Sequence, residues 1–302
     1  MTPSVGAVLV DYDAGDELLA GLRSIATECE GLAWEAVVVD NASTDASAAS
    51  VGGMPQVRVI ANRENVGFGR GVNQAVAATT APLLLVMNPD CRLERGALAA
   101  MRAVVEADPR CALVGPKILD PDGTLQGSVR GDPDMLTGLF GRTSRLRKLM
   151  PWLSVARRNV QDDRVSVDAT GSAVADWVSG ACFLARREAL VDVKGFDPRY
   201  FLYWEDADLC RRLRGRGWRI RYAPGAVAVH RVGHSSRTVR TAAVRAFHES
   251  AYLYYATHVA PGALNPARWL ARGLLAARCW WKLRAARDGA RQVCTGRSDE
   301  TS

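Results

Sequence analysis

The chain has 302 residues, 48% of them hydrophobic and 24% charged, with a formal net charge of +7. That length suits one large α/β domain or a domain with an appendage, and the composition excludes a disordered or fibrous chain. The basic balance favours anionic partners: a phosphorylated substrate, nucleic acid or a membrane surface. The seven cysteines are dispersed with no CxxC pair, and only four histidines occur. This argues against a disulfide scaffold and against a zinc site of Cys and His, and for reduced thiols in a cytoplasmic protein. The opening residues run straight into a strand without a charged leader, and no apolar run reaches the roughly 18 residues of a spanning helix.

The N-terminal third alternates strand and helix. SVGAVLVDY (4–12) reads as a buried parallel strand, and DELLAGLRSIATE (16–28) has apolar residues at helical spacing. WEAVVVDN (34–41) is a second strand, ASTDASAAS a turn entering a helix, and QVRVIANREN (56–65) a third strand. NVGFGRGVNQAVAATT (65–80) turns through glycines into a helix, and APLLLVMNPD (81–90) is a fourth strand. LERGALAAMRAVVEAD and CALVGPKILD continue as helix and strand. The cadence predicts an open, mostly parallel sheet with helices on both faces, whose ligands sit beyond the carboxyl ends of the strands. Polar residues stand at three such ends: Asp11 with Asp13, Asp40 with Asn41, and Asn88 with Asp90.

Residues 120–166 break the cadence, with a hairpin candidate in DPDGTLQGS and a basic insert near 130–166. VADWVSGACFLARREAL (174–190) returns to strand and helix, GWRIRYAPGAVAVHRVG (217–233) reads as a strand pair, and a helix is expected over 235–260. The expected division is one α/β domain over 1–236, in halves 1–118 and 119–236. A basic helical extension (237–294) and a disordered tail (295–302) follow. In the extension Trp269, Trp280 and Trp281 alternate with arginines, as in a helix lying on an anionic membrane or packed on the domain with a basic outer face.

WEDADLC places Glu205, Asp206 and Asp208 directly after the aromatic run FLYW. Acids beside an apolar wall fit a helix N-terminus, a catalytic edge, or both. Asp40 suits a nucleobase N–H or a helix cap. The glycines of NVGFGRGVN allow close approach to a ligand, with Asn65 and Arg70 in reach of a base or phosphate, but match neither a dinucleotide fingerprint nor a P-loop. Asp90 past a buried strand suits a divalent cation on a diphosphate, and His230 a second ligand to it, with His234 in reserve. Asp206 is the candidate base, with Glu205 in support and Asp208 structural or a cap. Tyr203, Trp204, Trp177 and the SGAC turn around Gly180 are candidates for an acceptor wall.

Seven segments, in order from residue 4 to 236, resemble the inverting glycosyltransferases of family 2, and more narrowly bacterial rhamnosyltransferases of the cell-wall and O-antigen type. They are VLVDYDAGDELLAGLRSI, VVVDNASTDAS, NRENVGFGRGVNQ, LLLVMNPD, VSGACFLARREAL, VKGFDPRYFLYWEDADLCRRLRGRGW and VHRVGHSS. The resemblance implies a GT-A fold (a Rossmann-like open sheet of the nucleotide-diphospho-sugar transferases), a nucleotide-sugar donor and Mg2+ or Mn2+. It puts the base-binding aspartate at Asp40, donor contacts at Tyr12, Asp13, Asn41, Asn65, Gly67, Arg70 and Asn88, the metal ligands at Asp90 and His230, and the catalytic acids at Glu205 and Asp206. Asp11-Tyr12-Asp13 departs from the family's usual Thr-Tyr-Asn, and Asn88 replaces the first acid of its DxD motif. It further implies dTDP-β-L-rhamnose as donor and a GlcNAc-diphospho-polyprenol acceptor at the inner face of the cell membrane. Another nucleotide sugar, a soluble natural-product acceptor, a homodimer, and a non-catalytic nucleotide- or membrane-binding protein on the same scaffold stay open, whereas nucleic acid is not an expected partner.

Overall fold

The computed structural model describes residues 2–133, 166–231 and 240–295. Its first strand, Val5–Asp11 (β1), is buried along its whole length. Val5, Ala7 and Leu9 join one core with Leu18, Leu22 and Ile25 of helix α1 (Asp16–Glu28). Val8 and Val10 join a second core with Val72 and Ala75 of helix α3 (Phe68–Ala77). Successive side chains point to opposite faces of a strand, so an unbroken apolar run requires cover on both sides.

The remaining elements are β2 (Trp34–Asp40), α2 (Ser47–Val51), β3 (Val57–Ala61), β4 (Leu83–Met87), β5 (Cys91–Leu93) and α4 (Ala97–Ala107). After them come β6 (Cys111–Leu119), β7 (Val129–Arg130), β8 (Ala173–Ala175), β9 (Trp177–Val178), β10 (Cys182–Arg186), α5 (Arg187–Asp192), α6 (Glu205–Gly215) and β11 (Arg219–His230). The chain continues through α7 (Arg240–Tyr254), a π-helical turn (Tyr255–Val259) and α8 (Pro266–Thr295).

The main sheet runs β3-β2-β1-β4-β10-β6-β11-β5, with β8 paired to β11. The first four strands are parallel, as expected. The other half is mixed: β10 is antiparallel to both β4 and β6, and β5 is antiparallel to β11. The expectation of a mostly parallel sheet therefore holds for the β3-β2-β1-β4 half. The expected strand pair over 217–233 is instead one strand, β11, whose register to β6 slips between Ala223 and Val227, around Pro224 and Gly225. Proline and glycine interrupt the ladder there without reversing the chain.

Tyr254 of α7 is buried in the second core, and α8 packs along α7. No described helix is long and apolar enough to cross a membrane. Cys29, Cys91, Cys111, Cys182, Cys210 and Cys279 are free, and all of these but Cys279 are buried. The basic insert lies almost wholly within 134–165, outside the described residues, as do His234 and residues 296–302 of the expected tail.

Candidate active site

Strand ends of the parallel half supply the first layer. Asp11 is fully buried and accepts from the Ser47 hydroxyl at 2.6 Å, and burial pushes its carboxyl up to about 6. Tyr12 follows, half-buried. Asp13, at φ 52°, accepts from the Thr44 amide at 2.6 Å and the Asp45 amide at 3.3 Å. Its charge is therefore engaged by backbone N–H groups of the next loop. Asp40 accepts from the Ser43 amide at 2.8 Å and is half-buried. Asn41 is buried and wholly engaged within the protein: its amide donates to Asn65 Oδ1 and Gly67 O, and its oxygen accepts from Asn62. It braces the glycine loop from beneath.

That loop meets the aromatic run. Gly67 has φ 88°, and a Cβ there would lie 2.4 Å from Phe201 O. The next amide, Phe68 N, donates to the same oxygen at 3.0 Å. Only glycine fits both the left-handed backbone and this approach. Arg70 donates from Nε to Pro198 O at 2.9 Å, tying α3 to the loop that leads into α6.

Asp90 and His230 come together because β5 pairs with β11, with His230 opposite Cys91. Asp90 Oδ1 is 3.1 Å from His230 Nε2, and Asn88 Nδ2 is 3.3 Å from the same nitrogen. Gln126 sets the imidazole. Its amide nitrogen faces Asp120 Oδ1 and His230 O, both acceptors, so its oxygen is what meets His230 Nδ1 at 2.8 Å. Nδ1 therefore carries the proton, and in the neutral ring Nε2 turns a lone pair toward Asp90.

Glu205, Asp206 and Asp208 occupy the first turn of α6. Asp206 Oδ2 accepts from Gly180 N at 2.9 Å. The next residue of that turn, Ala181, accepts at its carbonyl from Asn88 N at 2.8 Å. The SGAC turn thus joins the NPD loop to Asp206. Burial raises the carboxyl of Asp206, while the Gly180 N–H and Arg130 pull it down. Glu205 is buried, its Oε2 has no hydrogen-bond partner, and burial, then the neighbouring Asp206, push its carboxyl up to about 8. Asp208 is fully buried and bound to Arg212 Nε and His258 Nε2, both at 2.7 Å. All three acids of WEDADLC stand in the first turn of α6, as the helix-end reading expects.

Tyr203 and Trp204 both have positive φ, 68° and 69°. Their rings pack edge-on against Phe247 of α7, each with centroids 5.9 Å apart, and Trp204 also meets Tyr254. Trp177 is buried, donates to Gly131 O, and has the Arg130 guanidinium 4.9 Å above its ring.

Residues 3–253 match the family described as Glycosyltransferase like family 2. The chain belongs to the family 2 inverting glycosyltransferases. An N-acetylglucosaminyl-diphospho-decaprenol L-rhamnosyltransferase of Mycobacterium tuberculosis is 31% identical over 299 residues, covering 95% of both chains. A rhamnosyltransferase of Escherichia coli strain K12 is 41% identical over 83 residues, which is 28% of this chain and 31% of that one. A mannosyltransferase of Pyrobaculum calidifontis, solved with GDP-Man and Mn2+, shares the fold at a TM-score of 0.56 and 19% identity, over 99% of this chain and 80% of that one. This family 2 glycosyltransferase accordingly moves a sugar from a nucleotide donor to a glycan or lipid acceptor.

The Asp90–His230 pair fits a divalent cation. Two acceptors facing each other at 3.1 Å repel unless a proton or a metal lies between them. Adjacent oxygen or nitrogen donors around an octahedral cation with bonds of about 2.1 Å stand about 3 Å apart. Among the described residues no cluster of three or more His, Cys, Asp or Glu could hold a metal. The remaining ligands would come from diphosphate oxygens and water, the usual arrangement for Mg2+ with a phosphorylated substrate. Sequence reasoning missed Gln126 and His258. Gln126 lies in a turn after β6 without a motif of its own, and the signal for His258 was only its place in an aromatic helix.

Proposed function

We propose that this family 2 glycosyltransferase transfers L-rhamnose from dTDP-β-L-rhamnose to a hydroxyl of GlcNAc-diphospho-polyprenol, with inversion. The observation that carries the chemistry is the SGAC turn, which binds Asp206 through Gly180 N and the NPD loop through Ala181 O. A base and a diphosphate-binding loop are thereby held on one short segment. Likeness to the mycobacterial rhamnosyltransferase along 95% of the chain supports the choice of sugar and acceptor.

Asp206 takes the proton from the acceptor hydroxyl as its oxygen bonds to the anomeric carbon. The bond from that carbon to the diphosphate oxygen breaks, and dTDP leaves with the electron pair. Asp90 and His230 would hold the divalent cation, which neutralises the leaving diphosphate. Asp40 accepts from the base of the nucleotide, while Tyr12, Asp13, Asn65, Gly67, Arg70 and Asn88 shape the donor cleft, with Asn41 as its support. Glu205, kept protonated by burial, donates to the acceptor, and Gly180, Trp177, Tyr203 and Trp204 form its wall.

The test is nucleotide release from a panel of nucleotide sugars, with and without a short-chain GlcNAc-diphospho-prenol. dTDP-L-rhamnose should be consumed fastest and only with the acceptor present. Faster turnover of another sugar would overturn the donor assignment. Asp206→Asn should lower kcat by about 100- to 10,000-fold with dTDP affinity unchanged, and a wild-type rate would remove Asp206 from the role of base.

A further inference from the structure

Helix α8 is amphipathic in an unusual sense. Ala271, Leu275, Arg278 and Lys282 recur every three or four residues and form the stripe that is buried or half-buried. Burial lowers the pKa of both Arg278 and Lys282. On the opposite side Trp269, Leu270, Leu274, Trp280 and Trp281 are exposed, the three tryptophans by 60–65%. At about 100° per residue these five fall within one arc of about 140°. Leu264, in the turn before the helix, is 95% exposed. A helix folding only against its own protein would bury the tryptophans and expose the cations.

The charges of this helix are almost all of one sign. Residues 266–295 contain seven Arg or Lys and one acid, Asp288. Arg272 is exposed beside the apolar arc, and Arg284 lies over the Trp280 ring at 5.3 Å. Tryptophan with arginine on one helical face suits the headgroup level of a bilayer, where the rings enter the interface and the cations meet anionic lipid. A second copy meeting this face about a two-fold axis would set like charges against each other.

We propose that α8 docks this family 2 glycosyltransferase on the surface of an anionic phospholipid bilayer, with Trp269, Leu270, Leu274, Trp280 and Trp281 inserted at the headgroup level. The docking goes beyond the transfer reaction, and its test uses neither donor nor acceptor, so the two readings fail separately.

The experiment is flotation of the full chain with vesicles of phosphatidylcholine alone and of phosphatidylcholine mixed with phosphatidylglycerol. The protein should float with the mixed vesicles and remain behind with phosphatidylcholine alone. Arg272→Ala with Arg284→Ala should weaken binding to the mixed vesicles about thirtyfold. Trp269→Ser with Trp280→Ser and Trp281→Ser should abolish flotation while the thermal midpoint stays within a few degrees. Failure of the wild type to float, or equal flotation of the tryptophan variant, would overturn the proposal. So would a dimer at sedimentation equilibrium that dissociates in the tryptophan variant without vesicle binding by the wild type, which would assign the face to a second copy.

Discussion

His258 Nε2 lies 2.7 Å from Asp208 Oδ1, so the π-helical turn after α7 is fastened to the helix that carries Asp206. The second Asp208 oxygen binds Arg212, whose guanidinium donates to Val193 O and Gly195 O, while Arg211 donates to His258 O. The extension is therefore stitched to α6. His258→Ala removes one hydrogen-bond partner from the fully buried Asp208 carboxyl, and unfolding in urea should show a loss of about 1–3 kcal/mol. Asp208→Ala leaves the Arg212 side chain without its carboxylate and should cost about 3–5 kcal/mol.

Gln126 should act on metal affinity without touching metal. Gln126→Ala removes the acceptor that fixes the proton on His230 Nδ1. Titration with Mn2+ in the presence of dTDP should show an affinity lower by about 10- to 100-fold. The Asp206→Asn protein serves as the control and should bind Mn2+ as the wild type does.

Glu205 gives stability a pH dependence of definite sign. Its carboxyl is raised from 4.5 to about 8 in the folded chain, so the folded state holds a proton that the unfolded state releases. Stability should fall as pH rises from about 4.5 to about 8 and level off above that window. Asp11 acts in the same sense over a lower window, from 3.8 to about 6. In Glu205→Gln the decline between pH 6 and pH 8 (about the upper half of that window) should flatten, which urea midpoints across the range would register.

Gly67→Ala sets a methyl against Phe201 O in a left-handed backbone. The backbone alone costs about 1–2 kcal/mol, and relieving the clash pushes the glycine loop off the aromatic run. Calorimetry should find a lower thermal midpoint together with weaker dTDP binding.

Gly180→Ala is a milder probe of the same architecture. Its Cβ would sit 3.3 Å from both Cβ and Oδ2 of Asp206. A displacement of the base by a fraction of an ångström should lower kcat, by up to about 100-fold for a full ångström, with little change in thermal midpoint.

The parallel half of the fold was legible because strand and helix periods there are local. Val5–Asp11 and Asp16–Glu28 state their structure within a few residues. The mixed half was not, since β10 enters between β4 and β6 by long-range pairing, and β5 has three residues with an exposed Arg92 between two buried neighbours. Residue types marked where polar side chains gather, but not where they point. Asp13 accepts from the Thr44 and Asp45 amides of the next loop, and Asn41 bonds to Asn62, Asn65 and Gly67, which residue type alone does not show. The strand ends show an acid, and only the pairing of β5 with β11 brings His230 to Asp90.

Two successive non-glycine residues, Tyr203 and Trp204, hold left-handed backbone immediately before Glu205 and Asp206. Each conformation costs about 1–2 kcal/mol relative to an ordinary one. The rings that pack on Phe247 make up for that cost, so the pair converts aromatic packing on α7 into backbone tension at the start of α6. Any campaign to raise thermostability will find glycine or asparagine attractive at these two positions. The same exchanges would delete the rings that rest on Phe247 and Tyr254, so the lost packing outweighs the backbone relief and the link between the C-terminal helices and α6 slackens.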